Sequence, residues 1–521
     1  MRLRRLPAAL PLLATAALVL TACGTTAPTV STSPSVAAFQ PSYAQVACPD
    51  DVEIALLVQH ACGHLTVLED RSKPAGRTIS IFVLRMDPPA GQTSSDPMLA
   101  IGGDIGDAAG FGGMAPLPER VHRVTYVMEP RGVGHSLPSL ACPEFDGLAV
   151  DAVQAPSGDA TFRQKVLGAV KACRDRLTAS GVDVAAYDAA AAAADVVDLR
   201  VALGITEWNL IGLGSNSRIL LEAARQDADA VRSVVLDSPQ LPDLPDALLA
   251  ERGLKEAIAT LATTCAADAA CNAAAPGLSA LFDTALAQLD AHPITVANTA
   301  GAVVQAAGKP VQLNVDGGAL LRVVRSVLGG DGPANIAELP HTIALAAAGE
   351  VSDQVVRILA SDPPLCAGYR PLCLQGRSFS LGAYLSILCR DDAPFLDLAV
   401  VDGDSTPAYH AVFGDNPYLA ACVPWAVPPA DDVVAQRFGA GIPLLALAGQ
   451  FDSFAPGVLL TQSLSVLSRA YFVIVPAQTH NVLGFTECVL AIRNAWLDHP
   501  EAPPADTSCL DTLKLSFPAP S

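Results

Sequence analysis

Positive charge is scarce in this 521-residue chain. Lys and Arg number 32 against 52 Asp and Glu, which gives a formal net charge of −20. Nucleic acids and anionic lipid surfaces attract proteins through clustered Lys and Arg, so this balance argues against both as electrostatic partners. We therefore expect no nucleic acid partner.

Long apolar runs are absent beyond the N-terminus. No segment after residue 20 approaches 18 consecutive uncharged apolar residues, whereas a membrane-spanning helix needs roughly 20. Hydrophobic residues nevertheless make up 51% of the chain, which excludes a disordered protein. The length exceeds what one hydrophobic core usually supports, so we expect a main domain with a large insertion.

The N-terminus has the order of an export signal. Arginines at positions 2, 4 and 5 precede an uncharged run from Leu6 to Leu20, which ends in Leu20-Thr21-Ala22-Cys23. That order is typical of a secretory signal, and its end resembles the lipobox of bacterial lipoproteins. The resemblance implies a signal peptide over 1–22 and a lipid on Cys23. The segment that follows is rich in Thr, Ser, Pro and Ala and almost uncharged, which predicts a flexible tether over 23–45.

We therefore expect an extracytoplasmic protein that is held at the outer face of the cell membrane by its lipid anchor alone. The alternative is an ordinary secretory signal in which the cysteine is coincidental.

Twelve of the 13 cysteines remain if Cys23 carries lipid. An even number in an oxidising compartment favours disulfide bonds. His60-Ala-Cys-Gly-His64 could present metal ligands, but no second cluster completes a site, so we expect no metal and no cofactor. Sequence leaves the connectivity open, and the simplest hypothesis pairs nearest neighbours: Cys48 with Cys62, Cys142 with Cys173, Cys265 with Cys271, Cys366 with Cys373, Cys389 with Cys422, and Cys488 with Cys509.

Strands and helices alternate in two parts of the chain. β-type segments occur at 78–85, 124–128, 208–211, 231–236, 442–448 and 470–475, and helical patterns separate several of them. This alternation predicts an α/β fold with a doubly wound, mostly parallel sheet. Residues 246–385 are instead alanine-rich and mostly helical by pattern, which predicts a lid inserted between 46–245 and 386–521 of the main domain.

Three segments that follow predicted strands carry the candidate chemistry. Gly212-Leu-Gly-Ser-Asn-Ser217 joins a strand to a helix, which is the setting of a nucleophile elbow. Asp452 follows a later strand, and His480 follows the last one. Nucleophile, acid and histidine is the chain order of α/β-hydrolases, in which the acid fixes the imidazole tautomer and the histidine is the general base.

Short motifs, taken together and in order, are similar to those of one family. They are Glu129-x-Arg131-Gly132-x-Gly134-x-Ser136, Ala141-Cys-Pro143 with Cys173, Ala202-Leu-Gly-Ile205, Trp208-Asn-Leu210, Arg232-Ser-Val-Val-Leu-Asp237, Ile387-x-Cys389-x-Asp391, Cys422-x-x-Trp425, Cys488 and Cys509. From about residue 45 to 512 the chain resembles the secreted tripeptidyl aminopeptidases and related proline-iminopeptidase-like hydrolases of actinobacteria, with their characteristic (TAP-like) C-terminal region.

This resemblance implies an α/β-hydrolase fold with a helical lid, and a serine exopeptidase activity on the free N-terminus of peptides. A peptide or a small ester is then the substrate or ligand of the cleft. The resemblance also supports the pairs Cys142–Cys173 and Cys488–Cys509. It implies no particular protein partner.

Departures from the family pattern fall on the catalytic residues. An ungapped match of the family's elbow, G-x-S-x-G, puts Gly214 at the nucleophile position and Asn216 at the second glycine. The family's oxyanion loop, G-G-P-G, is here Gly102-Gly103-Asp104-Ile105-Gly106. Asp104 would bring negative charge close to the developing oxyanion, which is the opposite of what stabilisation requires.

Two hypotheses follow from these departures. In the first, the protein is catalytically degenerate and keeps its cleft for binding or scaffolding. In the second, the elbow is shifted by one residue and Ser215 is the nucleophile of an active peptidase or esterase, with Asp452 and His480. The missing side chain at Gly214 favours the first hypothesis, and the retained acid and histidine favour the second.

Overall fold

The structure, a computed structural model of the chain, describes residues 39–55, 59–91, 94–106, 109, 122–244, 246–330, 332–361, 379–396, 406–414, 417–431, 436–439, 441–484 and 486–518. The predicted signal peptide, Cys23 and most of the tether lie outside these residues, as do Cys366 and Cys373. Among the helices of the described ranges, none combines the length and the apolar character that a membrane crossing requires.

Eleven strands occur in the described part of the chain, and they include every strand that the sequence predicted. They are β1 (Ser42–Val46), β2 (His60–Leu68), β3 (Thr78–Met86), β4 (Met98–Ile101), β5 (Thr125–Met128), β6 (Trp208–Leu213), β7 (Val231–Asp237), β8 (Ile294–Asn298), β9 (Val311–Val315), β10 (Leu444–Gly449) and β11 (Ala470–Val475).

Nine of these strands form one sheet in the order β1-β2-β3-β5-β4-β6-β7-β10-β11. The first three strands of that order pair antiparallel, and β3 is also antiparallel to β5. All pairs from β5 to β11 are parallel. The predicted α/β class with a mostly parallel sheet is confirmed. Because parallel strands end at the same edge, the loops after β4, β6, β10 and β11 meet there.

The helices of the described residues fall before, between and after these strands. They are α1 (Asp50–Ala55), α2 (Leu148–Gln154), α3 (Ala160–Ala179), α4 (Ala189–Ala202), α5 (Ser217–Gln226), α6 (Asp246–Ala267), α7 (Ala269–Ala274), α8 (Leu278–Ala291), α9 (Ala302–Ala307), α10 (Gly317–Leu328), α11 (Gly332–Ala347), α12 (Asp353–Ser361), α13 (Leu381–Ile387), α14 (Pro407–Tyr409), α15 (Pro417–Trp425), α16 (Gly457–Leu464) and α17 (Glu487–Asp498).

Both faces of the sheet are covered, so the central strands β4 and β10 are buried and free of polar side chains at every position rather than at alternate ones. In β4, Leu99 and Ile101 belong to a core that includes residues of α3, α4 and α5. Met98 and Ala100, which point the other way, belong to a second core that includes residues of α17. This double coverage holds the strand ends, and therefore the loops of the candidate site, in fixed positions.

The segment predicted as a lid is mostly helical and has a hydrophobic core of its own. It also contains the antiparallel pair β8–β9, which the sequence did not predict. The exposed positions of these two strands and the helix between them obscure their β pattern in the sequence. Val153 of α2 and Phe413, both outside 246–385, contribute to this core as well.

Five disulfide bonds are present in the described residues, all between nearest neighbours in sequence. They are Cys48–Cys62, Cys142–Cys173, Cys265–Cys271, Cys389–Cys422 and Cys488–Cys509. The sixth expected pair, Cys366 with Cys373, lies outside the described residues. Cys62 of the His60–His64 segment is therefore bonded to sulfur and is no metal ligand.

Candidate active site

The turn after β6 has the geometry of a nucleophile elbow with its apex at Gly214. The strand ends at Leu213, Gly214 has a φ of +58°, and α5 begins three residues later at Ser217. Ser215 is not among the residues with positive φ. The left-handed backbone that aims the central side chain of an elbow into the site therefore belongs to a residue without a side chain.

The carboxylate of Asp104 occupies the space in front of this apex. A Cβ atom placed on Gly214 would lie 2.2 Å from Oδ1 of Asp104 and 3.0 Å from its Cγ. Any side chain at position 214 would collide with that carboxylate. Asp104 thus fills the place of the missing nucleophile from a different loop, the one that follows β4.

Ser215 holds this carboxylate in place. Its backbone N–H and its Oγ both donate to Oδ1 of Asp104, at 2.8 and 3.0 Å. The Oγ also accepts from the backbone N–H of Ile105 at 2.8 Å. The backbone N–H groups of Ser215 and Ile105 are therefore both engaged within the protein, and neither is directed at a substrate carbonyl.

Asn216 fixes the loop that carries Asp104. Its Nδ2 lies 3.0, 3.1 and 3.1 Å from the carbonyl oxygens of Gly102, Gly103 and Asp104. A glycine at position 216, as in the family pattern, could make none of these contacts. The sequence showed the three departures separately, and only the structure shows that Asp104, Gly214 and Asn216 belong to one hydrogen-bonded unit.

His480 and Asp452 adopt the arrangement of a catalytic acid–histidine pair. Nδ1 of His480 lies 3.1 and 3.0 Å from the two carboxylate oxygens of Asp452, and both side chains are buried. The backbone N–H groups of Phe454 and Ala455 donate to Oδ1 of Asp452 at 2.8 Å. These contacts orient the imidazole so that its Nε2 points toward the elbow.

Asp104 is the group that Nε2 of His480 faces, with 3.8 Å between Nε2 and Oδ2. Burial alone disfavours the charged imidazolium, but the carboxylates of Asp452 and Asp104 outweigh it and raise the pKa of His480 to about 10. At neutral pH the ring is therefore an imidazolium between two carboxylates. In that state it can donate a proton but cannot act as a general base.

Asp237 and Ser238, which the sequence analysis did not single out as site residues, position the loop after His480. Oδ1 and Oδ2 of Asp237 accept from the backbone N–H groups of Val482 and Leu483, at 2.9 and 2.8 Å. Ser238 Oγ accepts from the N–H of Asn481 at 2.9 Å. Asp237 ends β7 and is the last residue of Arg232-Ser-Val-Val-Leu-Asp237, one of the motifs that carried the family resemblance. That motif was the sequence signal that could have indicated Asp237 as a site residue.

The lid contacts the loop that carries Asp452. The backbone N–H of Ser453 donates to the carbonyl of Leu328 in α10 at 3.2 Å. The guanidinium of Arg325, also in α10, lies 4.4 Å from the centre of the Phe454 ring, and that ring meets the imidazole of His480 edge to face. The lid therefore packs directly beside the histidine.

A metal centre has no support from the described side chains. The single group of potential ligands found there comprises Cys142, Glu144 and Cys173, and its two sulfurs are joined in a disulfide.

Two sequence families match the chain. One is described as the alpha/beta hydrolase fold and matches residues 96–323, which hold the oxyanion loop and the elbow. The other is described as TAP-like protein and matches residues 407–509, which hold Asp452 and His480. The chain belongs to the α/β-hydrolase fold family, with a TAP-like C-terminal region. The family predicted from the sequence motifs is thereby confirmed.

Solved structures of α/β-hydrolases are similar to the chain at low sequence identity. An esterase from Thermogutta terrifontis is 14% identical, with 84% of this chain and 99% of that chain covered and a TM-score of 0.34. A proline iminopeptidase from Mycobacterium smegmatis is 13% identical, with coverages of 81% and 96% and a TM-score of 0.38. A carboxylesterase from Bacillus subtilis is 12% identical, with coverages of 86% and 95% and a TM-score of 0.36. No curated protein matches the chain.

Proposed function

We propose that this protein is an exported, lipid-anchored α/β-hydrolase-fold protein, related to peptidases and esterases, whose serine-hydrolase site is degenerate. The supporting observation is the position of Asp104, whose Oδ1 lies 2.2 Å from where the Cβ of a nucleophile at Gly214 would be. A serine hydrolase needs a hydroxyl at that point and free N–H donors beside it.

Electrostatics supports the same proposal. An acyl-transfer reaction develops negative charge on a substrate oxygen near the elbow, and a carboxylate at that place disfavours it. His480, whose pKa the two carboxylates raise to about 10, holds a proton at neutral pH and cannot take one from a nucleophile. The defect therefore extends from the nucleophile to the oxyanion site and to the base.

Ser215 as a displaced nucleophile is the competing hypothesis. Its Oγ donates to Asp104 and accepts from the N–H of Ile105, so its hydrogen-bond partners are the oxyanion loop rather than the histidine. A nucleophilic serine needs a base within hydrogen-bond reach. This arrangement argues for Ser215 as a support of Asp104.

The test is labelling of the purified soluble domain by a fluorophosphonate probe, together with turnover of aminoacyl and tripeptidyl chromogenic substrates. We expect neither labelling nor measurable turnover in the wild type or in Ser215→Ala. Robust activity that disappears in Ser215→Ala would establish Ser215 as the nucleophile and overturn the proposal.

A gain-of-function series provides the complementary experiment. Gly214→Ser alone should restore little activity, because the Asp104 carboxylate still fills the site. Adding Asp104→Pro and Asn216→Gly should restore more, because these changes remove the carboxylate and release the loop. Equal activity of the single and the triple variant would contradict the assigned role of Asp104.

Export and lipid anchoring rest on the order of arginines, apolar run and Cys23, and they are tested separately. We expect that Cys23→Ser releases the protein from membranes into the medium, whereas the wild type stays with the membrane fraction. Membrane retention of Cys23→Ser would show that another element holds the protein there.

A further inference from the structure

The geometry points to Asp104 as a carboxylate nucleophile that opens epoxides, with His480 as the proton donor. This inference concerns the same site as the proposed function and deepens it, since it assigns a chemistry to the group that replaces the serine. The carboxylate lies at the apex of the elbow, on the side of the histidine, and its side chain is 29% exposed. It is therefore accessible from solvent.

The two oxygens of Asp104 have different surroundings. Oδ1 accepts two hydrogen bonds, from the N–H and the Oγ of Ser215. Oδ2 instead faces Nε2 of His480 at 3.8 Å. A carboxylate nucleophile requires this division, because one oxygen attacks while the other becomes the carbonyl of the ester intermediate.

The donors on Oδ1 stand where an ester on Asp104 would need them. When water attacks that ester, negative charge develops on the former Oδ1, and Ser215 already directs an N–H and an O–H at it. The oxyanion site of this protein thus serves its own side chain rather than a substrate carbonyl. The contacts of Asn216 to the loop keep Asp104 in that position.

Substrates with a saturated electrophilic carbon fit this site better than esters or amides. Attack on an acyl carbon needs free N–H donors for the substrate oxygen, and the N–H groups of Ser215 and Ile105 are both engaged. Ring opening of an epoxide passes through no such oxyanion. It needs a nucleophile and an acid that protonates the ring oxygen as the C–O bond breaks.

His480 can supply that acid. Its Nε2 is buried and has no hydrogen-bond partner in the described structure, and the imidazolium is the dominant form at neutral pH because both carboxylates raise its pKa. In the first step Oδ2 of Asp104 bonds to an epoxide carbon. The ring C–O bond breaks, and the ring oxygen takes the proton from Nε2. The products of this step are a hydroxyalkyl ester and a neutral imidazole.

Ester formation changes the role of His480. The charge of Asp104 is one of the causes that raise the pKa of the imidazole, and esterification removes that charge. The neutral ring then accepts a proton from water, whose oxygen attacks Cγ of Asp104. The bond from Cγ to the ester oxygen breaks, and the leaving alkoxide takes the proton from His480. Asp104 is then a carboxylic acid, and it gives its proton to the neutral imidazole, which restores the starting state. The sum is epoxide plus water to diol.

The first experiment follows oxygen through the wild-type protein. Under single turnover in ¹⁸O-water with styrene oxide or 1,2-epoxyhexane, we expect ¹⁸O in the peptide that contains Asp104 and unlabelled oxygen in the diol. Diol that carries ¹⁸O while Asp104 stays unlabelled would show direct attack by water. That result, or no diol from either epoxide, would overturn the inference.

Variants give a second, independent readout. His480→Gln lacks both the proton donor of the first step and the base of the second, so it should form neither diol nor an adduct on Asp104. Ser215→Ala removes one of the two donors on Oδ1 and should hydrolyse the ester about 10²-fold more slowly, so an adduct of the epoxide's mass should accumulate on Asp104, detected by mass spectrometry of intact protein and peptides. Asp104→Asn is the control and should form no adduct; an adduct elsewhere in all three variants would overturn the inference.

The outcomes distinguish this inference from the proposed function. Absence of epoxide turnover, with no fluorophosphonate labelling, removes the inference and leaves the degenerate serine site. Fluorophosphonate labelling that depends on Ser215 removes the proposed function whatever the epoxides show.

Discussion

Asn216 donates its side-chain amide to the carbonyl oxygen of Asp104 at 3.1 Å, so two positions that differ from the family pattern are in direct contact. The third such position, Gly214, leaves the space that the Asp104 carboxylate fills. Random loss of a catalytic serine would not require the other two changes. The three residues are better explained as one remodelled unit than as independent decay.

Gly214→Ser should destabilise the protein. The serine must adopt a φ of +58°, and its Cβ would meet Oδ1 of Asp104 at 2.2 Å. We expect the free energy of unfolding to fall by about 1–3 kcal/mol, as measured by urea denaturation. Asp104→Gly is the matched background, in which the same substitution should cost less because the carboxylate is gone. Equal costs in both backgrounds would show that the collision is unimportant.

The charge of His480 should make stability depend on pH. The folded-state pKa is raised from 6.5 to about 10, so the folded protein keeps a proton that the unfolded chain loses. The stabilising contribution is complete below pH 6.5 and disappears as the pH rises through about 10. Between pH 7 and 9.5 the wild type should therefore lose more unfolding free energy than His480→Gln. Parallel curves for the two proteins would contradict the charged state of the ring.

Asp391 and Asp392 are adjacent in sequence, but their replacement by Asn should change the free energy of unfolding at pH 8 in opposite directions. Burial, and then the charge of Asp188, raises the pKa of Asp391 to about 7. Its folded state therefore favours the protonated form, and stability is lost as the pH rises through 7. Asp391→Asn should stabilise the protein at pH 8, and this gain should shrink toward pH 4.

Asp392 is the matched control, because it is buried against the guanidinium of Arg218. Asp392→Asn breaks this ion pair and should cost about 3–5 kcal/mol. Chemical denaturation at pH 4 and pH 8 measures both variants. A loss of stability in Asp391→Asn at pH 8 would show that the buried carboxylate is well stabilised as an anion.

The disulfides that close longer loops should stabilise the fold more, although the effect grows only with the logarithm of loop length. Replacing Cys142 and Cys173 by Ser opens a separation of 31 residues and should cost about 3–4 kcal/mol, whereas opening Cys265–Cys271, with a separation of 6, should cost about 2 kcal/mol. Non-reducing peptide mapping should give these pairs and also Cys366–Cys373. A free thiol at any of the twelve positions would refute the pairing.

Sequence by itself determined the class of the fold and the location of the site. The main-sheet strands β3, β5, β6, β7, β10 and β11 carry short apolar runs, and local pattern suffices to predict such elements. The chain order of elbow, Asp452 and His480 then placed the chemistry at the carboxyl ends of parallel strands. The pair β8–β9 was not predicted, because each strand has only five residues. The alternation of buried and exposed side chains over so short a segment is a weak signal in an alanine-rich, mostly helical region.

Only the tertiary structure decided what occupies the site. The sequence separates Asp104 from Gly214 by more than one hundred residues, and no local pattern tells how far a carboxylate reaches from its loop. The fold brings these residues together because β4 and β6 are adjacent and parallel, so that the loops after them share one edge. The register of the two strands, set by packing on both faces of the sheet, places the carboxylate where the family has a serine.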